Sequence, residues 1–402
     1  MLKVYADQAL TQEIQAGFKA IRENDNTRIY IKVIPNDLKI LFKNDLTVKG
    51  KNGSIAVTQI DDEVFSFIMP AEPVEATARF TTGGYCGNAN VNNGHNLIWT
   101  LNDGTLAFQK SAMMTGSNME MGNFANGAPW QTLGSQVTAI DFGCAASIGD
   151  KAFADCSALH GLEMTGAPLP AGSNAFNKET LLIVPASHYD SYVQEWAAYM
   201  DQMVKDRETV TVKDGQQWTA CYSTVGRLLP DDLKAYVVTG INGNTVTMGE
   251  AMNYLPARQV VLIEHADKTA VVAEAVTTIA PYAAENPIPV YALTASDTGV
   301  MEWLTEPRTV SVGEGYTLYK DEFVMVSSGT LPAGIAFLPA GGVSARALSI
   351  PGTDSQTTGI DGMTTSDSEG KEEWYTLDGK RLDGKPSQKG LYLRNGKKVV
   401  IK

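Results

Sequence analysis

The sequence predicts a mainly β, multidomain protein, and three observations carry that reading. Short runs of alternating apolar and polar residues, separated by Asn-Gly, Asp-Gly and proline turns, recur from Arg28 towards the C-terminal end. An Ala-Phe pair at Ala152-Phe153 returns 23 residues later at Ala175-Phe176, a period typical of stacked repeats. Residues 351–371 hold almost no apolar side chains and set a short β-patterned tail apart from a long body. A chain of 402 residues has room for about two to four domains. Its 44% hydrophobic content belongs to a folded polymer rather than a disordered one.

Residues 1–81 read as a first small β module. Leu10, Ile14, Phe18 and Ile21 fall at helical spacing and predict a helix over residues 8–22, interrupted by Gly17. From Arg28 the pattern turns to strands. Ile29, Ile31 and Val33 alternate with Tyr30, Lys32 and Ile34; further strands are expected over Ser54–Ile60 and Val64–Ile68, with turns at Asn52-Gly53 and Asp61-Asp62. The stretch closes on Phe67-Ile68-Met69-Pro70-Ala71 and Val74–Phe80. That ending resembles the close of small bacterial Ig-like repeat modules, which implies a β module over residues 27–81.

Residues 82–206 carry the strongest motif. Ile148-Gly149-Asp150-Lys151-Ala152-Phe153-Ala154-Asp155-Cys156-Ser157-Ala158-Leu159 resembles the BspA-type leucine-rich repeat, whose pattern runs IGDxAFxxCSSL. The resemblance implies a coil with apolar side chains turned inward, a small Ala at the tight corner and Cys156 below the loop. Cys86-Gly87, Asn96–Leu101, Gly104-Thr105-Leu106, Ala128-Pro129-Trp130 and Val137–Ile140 resemble the family's N-terminal flank. Two departures stand out: residues 88–95 look like an insertion, and the copy around Ala175-Phe176 lacks the Ile-Gly-Asp corner. Two repeats cannot bury their faces alone, so both ends need caps. The expected C-terminal cap follows Leu181-Leu182-Ile183-Val184-Pro185 as a helix from about Ser187 to Val204. Ser187 and Asp190 would form its capping box, and Tyr189, Val193, Trp196, Met200 and Met203 its apolar stripe.

Residues 207–350 read as a β-sandwich or barrel domain. Tyr236–Thr239 and Thr245–Met248 flank Asn242-Gly243-Asn244, a hairpin signal; Val260–Ile263 is a short buried strand; Tyr316–Tyr319 and Phe323–Val326 pair around Lys320-Asp321-Glu322. After the 351–371 linker, where limited proteolysis should cut first, residues 372–402 form a β-hairpin unit with turns at Asp378-Gly379 and Asn395-Gly396. Its form, from Trp374-Tyr375-Thr376-Leu377 to Lys397-Lys398-Val399-Val400-Ile401-Lys402, resembles the C-terminal sorting signal of type IX secretion substrates. The alternative is a basic hairpin docked on an acidic body. Residues 371–402 hold nine Lys/Arg against four Asp/Glu, a charge of +5, which leaves −18 of the total −13 on the other 370 residues.

That charge argues against nucleic acid, whose phosphates require clustered Lys and Arg. No apolar run is long enough to span a membrane. Cys86, Cys144, Cys156 and Cys221 are spaced for neither a zinc site nor a redox pair; a Cys144–Cys156 disulfide is weighed against buried free thiols and is the lesser reading. His95, His160, His188 and His265 are scattered, and His160 reads as a surface residue beside the repeat. Phosphate-loop, nucleophile-elbow and zinc-helix motifs are missing, and no carboxylate pair is singled out for glycosidic chemistry. Asp61-Asp62-Glu63 and Asp231-Asp232 read as solvated turns rather than calcium loops. Trp99, Trp130 and Trp196 have packing roles, whereas Trp218 and Trp303 stay open between packing and stacking on a sugar.

No catalytic, cofactor-binding or metal residue is therefore assigned, no enzyme activity and no cofactor are expected, and the binding residues stay undetermined. The resemblance implies a secreted or cell-surface protein that attaches to proteins or glycans on host or neighbouring cells. A glycan-binding accessory role is the alternative, and an enzyme with an unfamiliar site the third. Met1–Asp7 carries no signal-peptide apolar region, so export implies a signal removed beforehand.

Overall fold

The computed structural model describes residues 1–14, 27–112 and 116–353, together with 374–375, 381–382, 386, 390–394 and 397–401 of the C-terminal part. It is mainly β, built of many small sheets, and divides into two compact units, Met1–Thr353 and Asp354–Lys402.

The first unit opens with two facing antiparallel sheets. One runs Glu13–Ile14, Leu2–Tyr5, Arg28–Val33, Val64–Ile68, Val57–Gln59; the other runs Gly53–Ile55, Leu46–Gly50, Val74–Ala78. Alternation sends Ile29, Ile31, Val33, Phe65 and Phe67 of the first sheet onto Leu46 and Val48 of the second. Two expectations fail here. The helix over 8–22 is replaced, as far as residue 14, by a tight loop and a strand; residues 15–22 lie outside the described residues. The Asp7 carboxylate accepts the backbone N–H of Thr11 (3.0 Å) and Gln12 (2.8 Å) and the Thr11 hydroxyl. That loop turns the chain back, so Val4 and Tyr5 pair with Ile14 and Glu13. The strand expected over Ser54–Ile60 is split at Ala56, because Val48 pairs with Ile55 in one sheet and Phe67 with Val57 in the other.

A second sheet system follows. Leu97–Asn102 and Thr105–Lys110 form a hairpin whose turn residues, Asp103 (φ 45°) and Gly104 (φ 78°), both take the left-handed conformation such two-residue turns require. Thr81–Tyr85 joins its outer edge, Lys39–Ile40 continues the sheet beyond, and Ala139–Asp141 adds in parallel at the other side. From there the chain coils. Gly161–Glu163, Leu181–Val184 and Met203–Lys205 stack as parallel strands, with Gly161 opposite Leu181 and Leu182 opposite Met203. On another side of the coil, Ile148 bridges Ala171 and Phe153 bridges Phe176, again in parallel.

The long helix after Pro185 is much shorter than its sequence predicts. It covers Tyr189–Glu195, a 3-10 turn takes Ala197–Gln202, and Met203 begins a strand. Trp196 leaves helical geometry (φ −112°, ψ 34°), and its indole donates to the Leu169 carbonyl at 2.8 Å. The change of winding rotates the apolar face: Tyr192 and Tyr199 are buried, while Met200, expected in the stripe, is 50% exposed. No side chain caps the helix start, and Ser187 instead meets its neighbour His188.

Residues 207–350 hold three layers. A four-stranded sheet (Arg207–Val212, Val271–Val276, Arg227–Leu228, Tyr254–Leu255) and a seven-stranded sheet flank a small one whose centre is Val260–Glu264. The central strand explains the arrangement. Val260 and Leu262 pack with Tyr316, Phe323 and Leu338, while Val261 and Ile263 pack with Val210, Val212, Leu233 and Ala275. A strand buried on both faces reads as an unbroken apolar run, as this one does. The strand expected over Tyr236–Thr239 is divided between sheets: Tyr236 pairs with Leu262 and Val238 with Met248. The hairpins around Gly243-Asn244 and Lys320-Asp321 form as expected.

The second unit contains an antiparallel sheet in the order Arg381–Leu382, Trp374–Tyr375, Gly390–Arg394, Lys397–Ile401. The turns expected at Asp378-Gly379 and Asn395-Gly396 lie outside the described residues, as does 354–371 of the expected linker.

Candidate functional site

The coil presents a regular surface, and its regularity comes from three matching corners. Gly122-Asn123, Gly149-Asp150 and Gly172-Ser173 lie above one another. A Cβ at Gly149 would collide with the Gly122 carbonyl, and one at Gly172 with the Asp150 backbone, so the rungs approach more closely than any side chain permits. A side-chain ladder ties them. Asn123 Oδ1 accepts the Asp150 N–H at 3.0 Å, and Asp150 Oδ1 accepts the Ser173 N–H at 2.6 Å. Ala171-Gly172-Ser173 thus occupies the place of the Ile-Gly-Asp corner missing from the sequence motif. Lys151 (φ 55°) and Asn174 (φ 51°) turn each corner in the left-handed region and expose their side chains.

Beneath the corners runs a column of rings. Phe153 stacks on Trp130 (centroids 6.0 Å apart) and on Phe176 (5.8 Å), and Phe176 meets Trp196 at 5.1 Å. The ladder stops at Tyr199. Its hydroxyl accepts the Ala175 N–H at 2.7 Å and donates to the Gly172 carbonyl, bridging two groups whose counterparts one rung earlier, Ala152 N–H and Gly149 O, bond each other directly at 3.3 Å. Tyr199→Phe is expected to destabilise the coil by about 1–3 kcal/mol, because it removes a hydroxyl that makes two hydrogen bonds to the backbone of the final rung. Urea unfolding followed by Trp fluorescence measures this; an unchanged midpoint would refute the bridging role. Next to the last corner, Ala154, Asn174, Phe176, Asn177 and Lys178 line an open cleft of about 360 Å³, at the lower end of ligand-cleft sizes. Its carbonyls are already engaged: Asn177 Nδ2 donates to Ala154 O and Gln202 Nε2 to Asn177 O.

A second constellation sits where the first sheets meet the hairpin system. His95 Nδ1 lies 2.7 Å from Asp62 Oδ2, and the imidazole stacks on Tyr85 with centroids 4.1 Å apart. Burial, and then the Asp62 carboxylate, push the Tyr85 hydroxyl well above its ordinary range. His95 closes the 88–95 segment, in which Asn92, Asn93 and Gly94 take positive φ in succession (47°, 53°, 83°). Such a run is costly, and it delivers the imidazole to a carboxylate of the preceding segment. This is a clasp between segments.

The remaining sequence candidates are dispersed. His160 is exposed; His265 is buried, with Nε2 3.9 Å from Asp232. Trp218, left open for sugar stacking, is 2% exposed and hydrogen-bonds through its indole to Thr353 Oγ1 at 2.8 Å, so it belongs to the core. Trp303 is half-buried against Tyr222. All four cysteines are free, and the Cys144–Cys156 disulfide does not form. Burial raises the Cys86 thiol, and pushes Cys156 up to about 12 and Cys221 to about 11. Cys144 is exposed. N-ethylmaleimide at about pH 8 should therefore label one thiol of the folded protein quickly and the others only on denaturation. Intact-mass spectrometry reads this; rapid addition of two or more labels would contradict the burial.

The sequence held a signal for the ladder, the Gly-polar pairs at 122–123, 149–150 and 172–173, and none for the clasp, whose partners are 33 positions apart. No protein family, curated protein or solved structure matches the chain.

Proposed function

We propose that the chain is a non-enzymatic, secreted or cell-surface protein that attaches to proteins on host or neighbouring cells through a short BspA-like leucine-rich-repeat coil and the β modules around it. One observation carries the reading. The Ile148–Leu159 motif forms a rung whose Gly149-Asp150 corner and Phe153 recur in register 23 residues later. Stacked rungs of this kind offer broad, rigid faces suited to protein partners. On this reading the helix Tyr189–Glu195 with Tyr199 caps the coil, residues 1–81 are an Ig-like module, 207–350 a further β domain, 351–371 a linker, and 372–402 a sorting segment for export.

The test is binding of the purified chain to arrays of immobilised extracellular proteins and of glycans. Saturable binding to proteins that Lys151→Glu and Asn174→Asp weaken supports attachment through the coil. Binding to glycans alone, lost in Trp303→Ala, favours the accessory role instead, for which the half-buried Tyr222–Trp303 stack is the supporting feature. Turnover of any ligand on the array would overturn both. Deleting residues 372–402 in the native host should abolish surface display while leaving the stability of the rest unchanged.

A further inference from the structure

The parallel strands Gly161–Glu163, Leu181–Val184 and Met203–Lys205 turn one set of side chains into the coil and the other away from it. Leu162, Leu182, Val184 and Met203 belong to the coil core. Gly161, Glu163, Leu181 and Ile183 therefore point outward, yet Ile183 is 0% exposed. Its cover comes from the next part of the chain. Thr278 Oγ1 donates to Glu163 Oε2 at 2.8 Å, and a Cβ on Gly161 would lie 3.0 Å from Ile279 Cγ2 and 3.1 Å from the Tyr291 ring. Thr278, Ile279 and Tyr291, at the two ends of the small hairpin Pro281–Ala283/Asn286–Pro289, thus lie against the outward face, and the hairpin is anchored on the following layers through Tyr282, which bonds to Asn253 and meets the Tyr254 ring.

The base of that segment is bolted down. Gly226 N–H donates to Tyr291 O (2.8 Å), Thr277 Oγ1 to Gly226 O (2.7 Å), and Thr277 N–H to Asp206 O (2.7 Å), directly after the last coil strand. Beside it Arg227, 0% exposed, donates to Lys205 O (2.9 Å) and Ser223 Oγ (3.0 Å) and pairs with Glu208 at 3.1 Å. Burial lowers the Arg227 guanidinium from its ordinary range, and Glu208 opposes that shift. A buried charge of this kind is lost at high cost if its partners move apart.

We propose that residues 278–291 permanently close the outward strand face, fusing coil and following β layers into one rigid block, so that this face is an intramolecular interface rather than a ligand surface. A partner of the coil then uses the sides that stay open, among them the corner side, where Lys151 and Asn174 are exposed beside the cleft. The proposal rests on packing alone, and its test reads amide protons, so it stands or falls separately from the binding reading.

Hydrogen exchange on the unaltered chain is the first test. The amides of Gly226, Thr277 and Val290 should exchange within about tenfold of Met164 and Gly172 inside the coil, as members of one cooperative unit do. Exchange faster by about a hundredfold or more would identify a movable lid and overturn the proposal. The second test is the pair Gly161→Cys and Ile279→Cys in a Cys144→Ser background, whose Cβ atoms fall within disulfide reach. The bond should form on air oxidation and leave exchange in residues 278–291 unchanged within about twofold. Failure of the folded variant to cross-link, or a large slowing on oxidation, would show that the face opens.

Discussion

Phe153→Ala should destabilise the Met1–Thr353 unit by about 3–5 kcal/mol, the range for deleting a large buried ring. Phe153 is 0% exposed and stands in the middle of the ring column, with Phe108, Trp130, Phe142 and Phe176 all within 6.1 Å between centroids. The neighbours above and below are held by their own rungs and cannot collapse inward, so the lost ring leaves a cavity. Phe153→Leu should recover more than half of the loss, because volume-conserving changes cost little. Chemical denaturation monitored by near-ultraviolet circular dichroism would measure both. A wild-type midpoint for the alanine variant would mean that the repeat motif at 148–159 does not describe a packed rung.

Trp218→Ala is expected to cost a similar amount, about 3–5 kcal/mol, in the layers of residues 207–350. The ring packs among Val260, Leu262, Tyr316 and Phe323, and meets Tyr236 edge-on at 5.6 Å. Asp321 Oδ1 accepts the backbone N–H of both Gln217 (2.8 Å) and Trp218 (2.9 Å), bonds that the substitution keeps, so the loss reports on the ring and its bond to Thr353. Trp218→Phe keeps most of the packing but loses the bond to Thr353 and part of the ring, so it should cost less, about 1–2 kcal/mol. If Trp218 served a ligand, its removal would instead leave stability intact and abolish binding to the arrays.

Local pattern was legible where burial is one-sided or complete. Ile29, Ile31 and Val33 alternate because one face is core, and Val260–Ile263 run unbroken because both faces are. Phe153 was legible because a repeat places equivalent rings at fixed spacing. What failed depended on partners remote in sequence or on single side chains. Helical spacing at Leu10 and Ile14 is outweighed by one carboxylate, Asp7, that captures the backbone and turns it. Met200 shares helical spacing with Trp196, but the winding changes at Trp196 so that Tyr199 can reach the coil. A strand that changes sheets at Ala56 or Val237 looks locally like one strand, since both halves want the same residues. The Asp62–His95 clasp and the Arg227–Lys205 bolt join distant segments, and no local pattern announces either.

Tyr199 gives the coil a property that its packing does not reveal. In a stack held by neighbour-to-neighbour contacts, length is arbitrary unless something ends it. Here one phenolic oxygen, with a single donor and room to accept, bridges the Ala175 N–H and the Gly172 carbonyl of the final rung. The final rung is thus tied to a residue outside the repeat, and the number of rungs is independent of that tie. A duplicate of residues 148–170 inserted after Pro170 would set a new Gly149-Asp150 corner between the old one and Gly172-Ser173. Every close approach and ladder bond would be reproduced, with Tyr199 still meeting the same two groups. Such a chain can grow or shrink by whole rungs in evolution or design, changing its reach while both ends stay as they are.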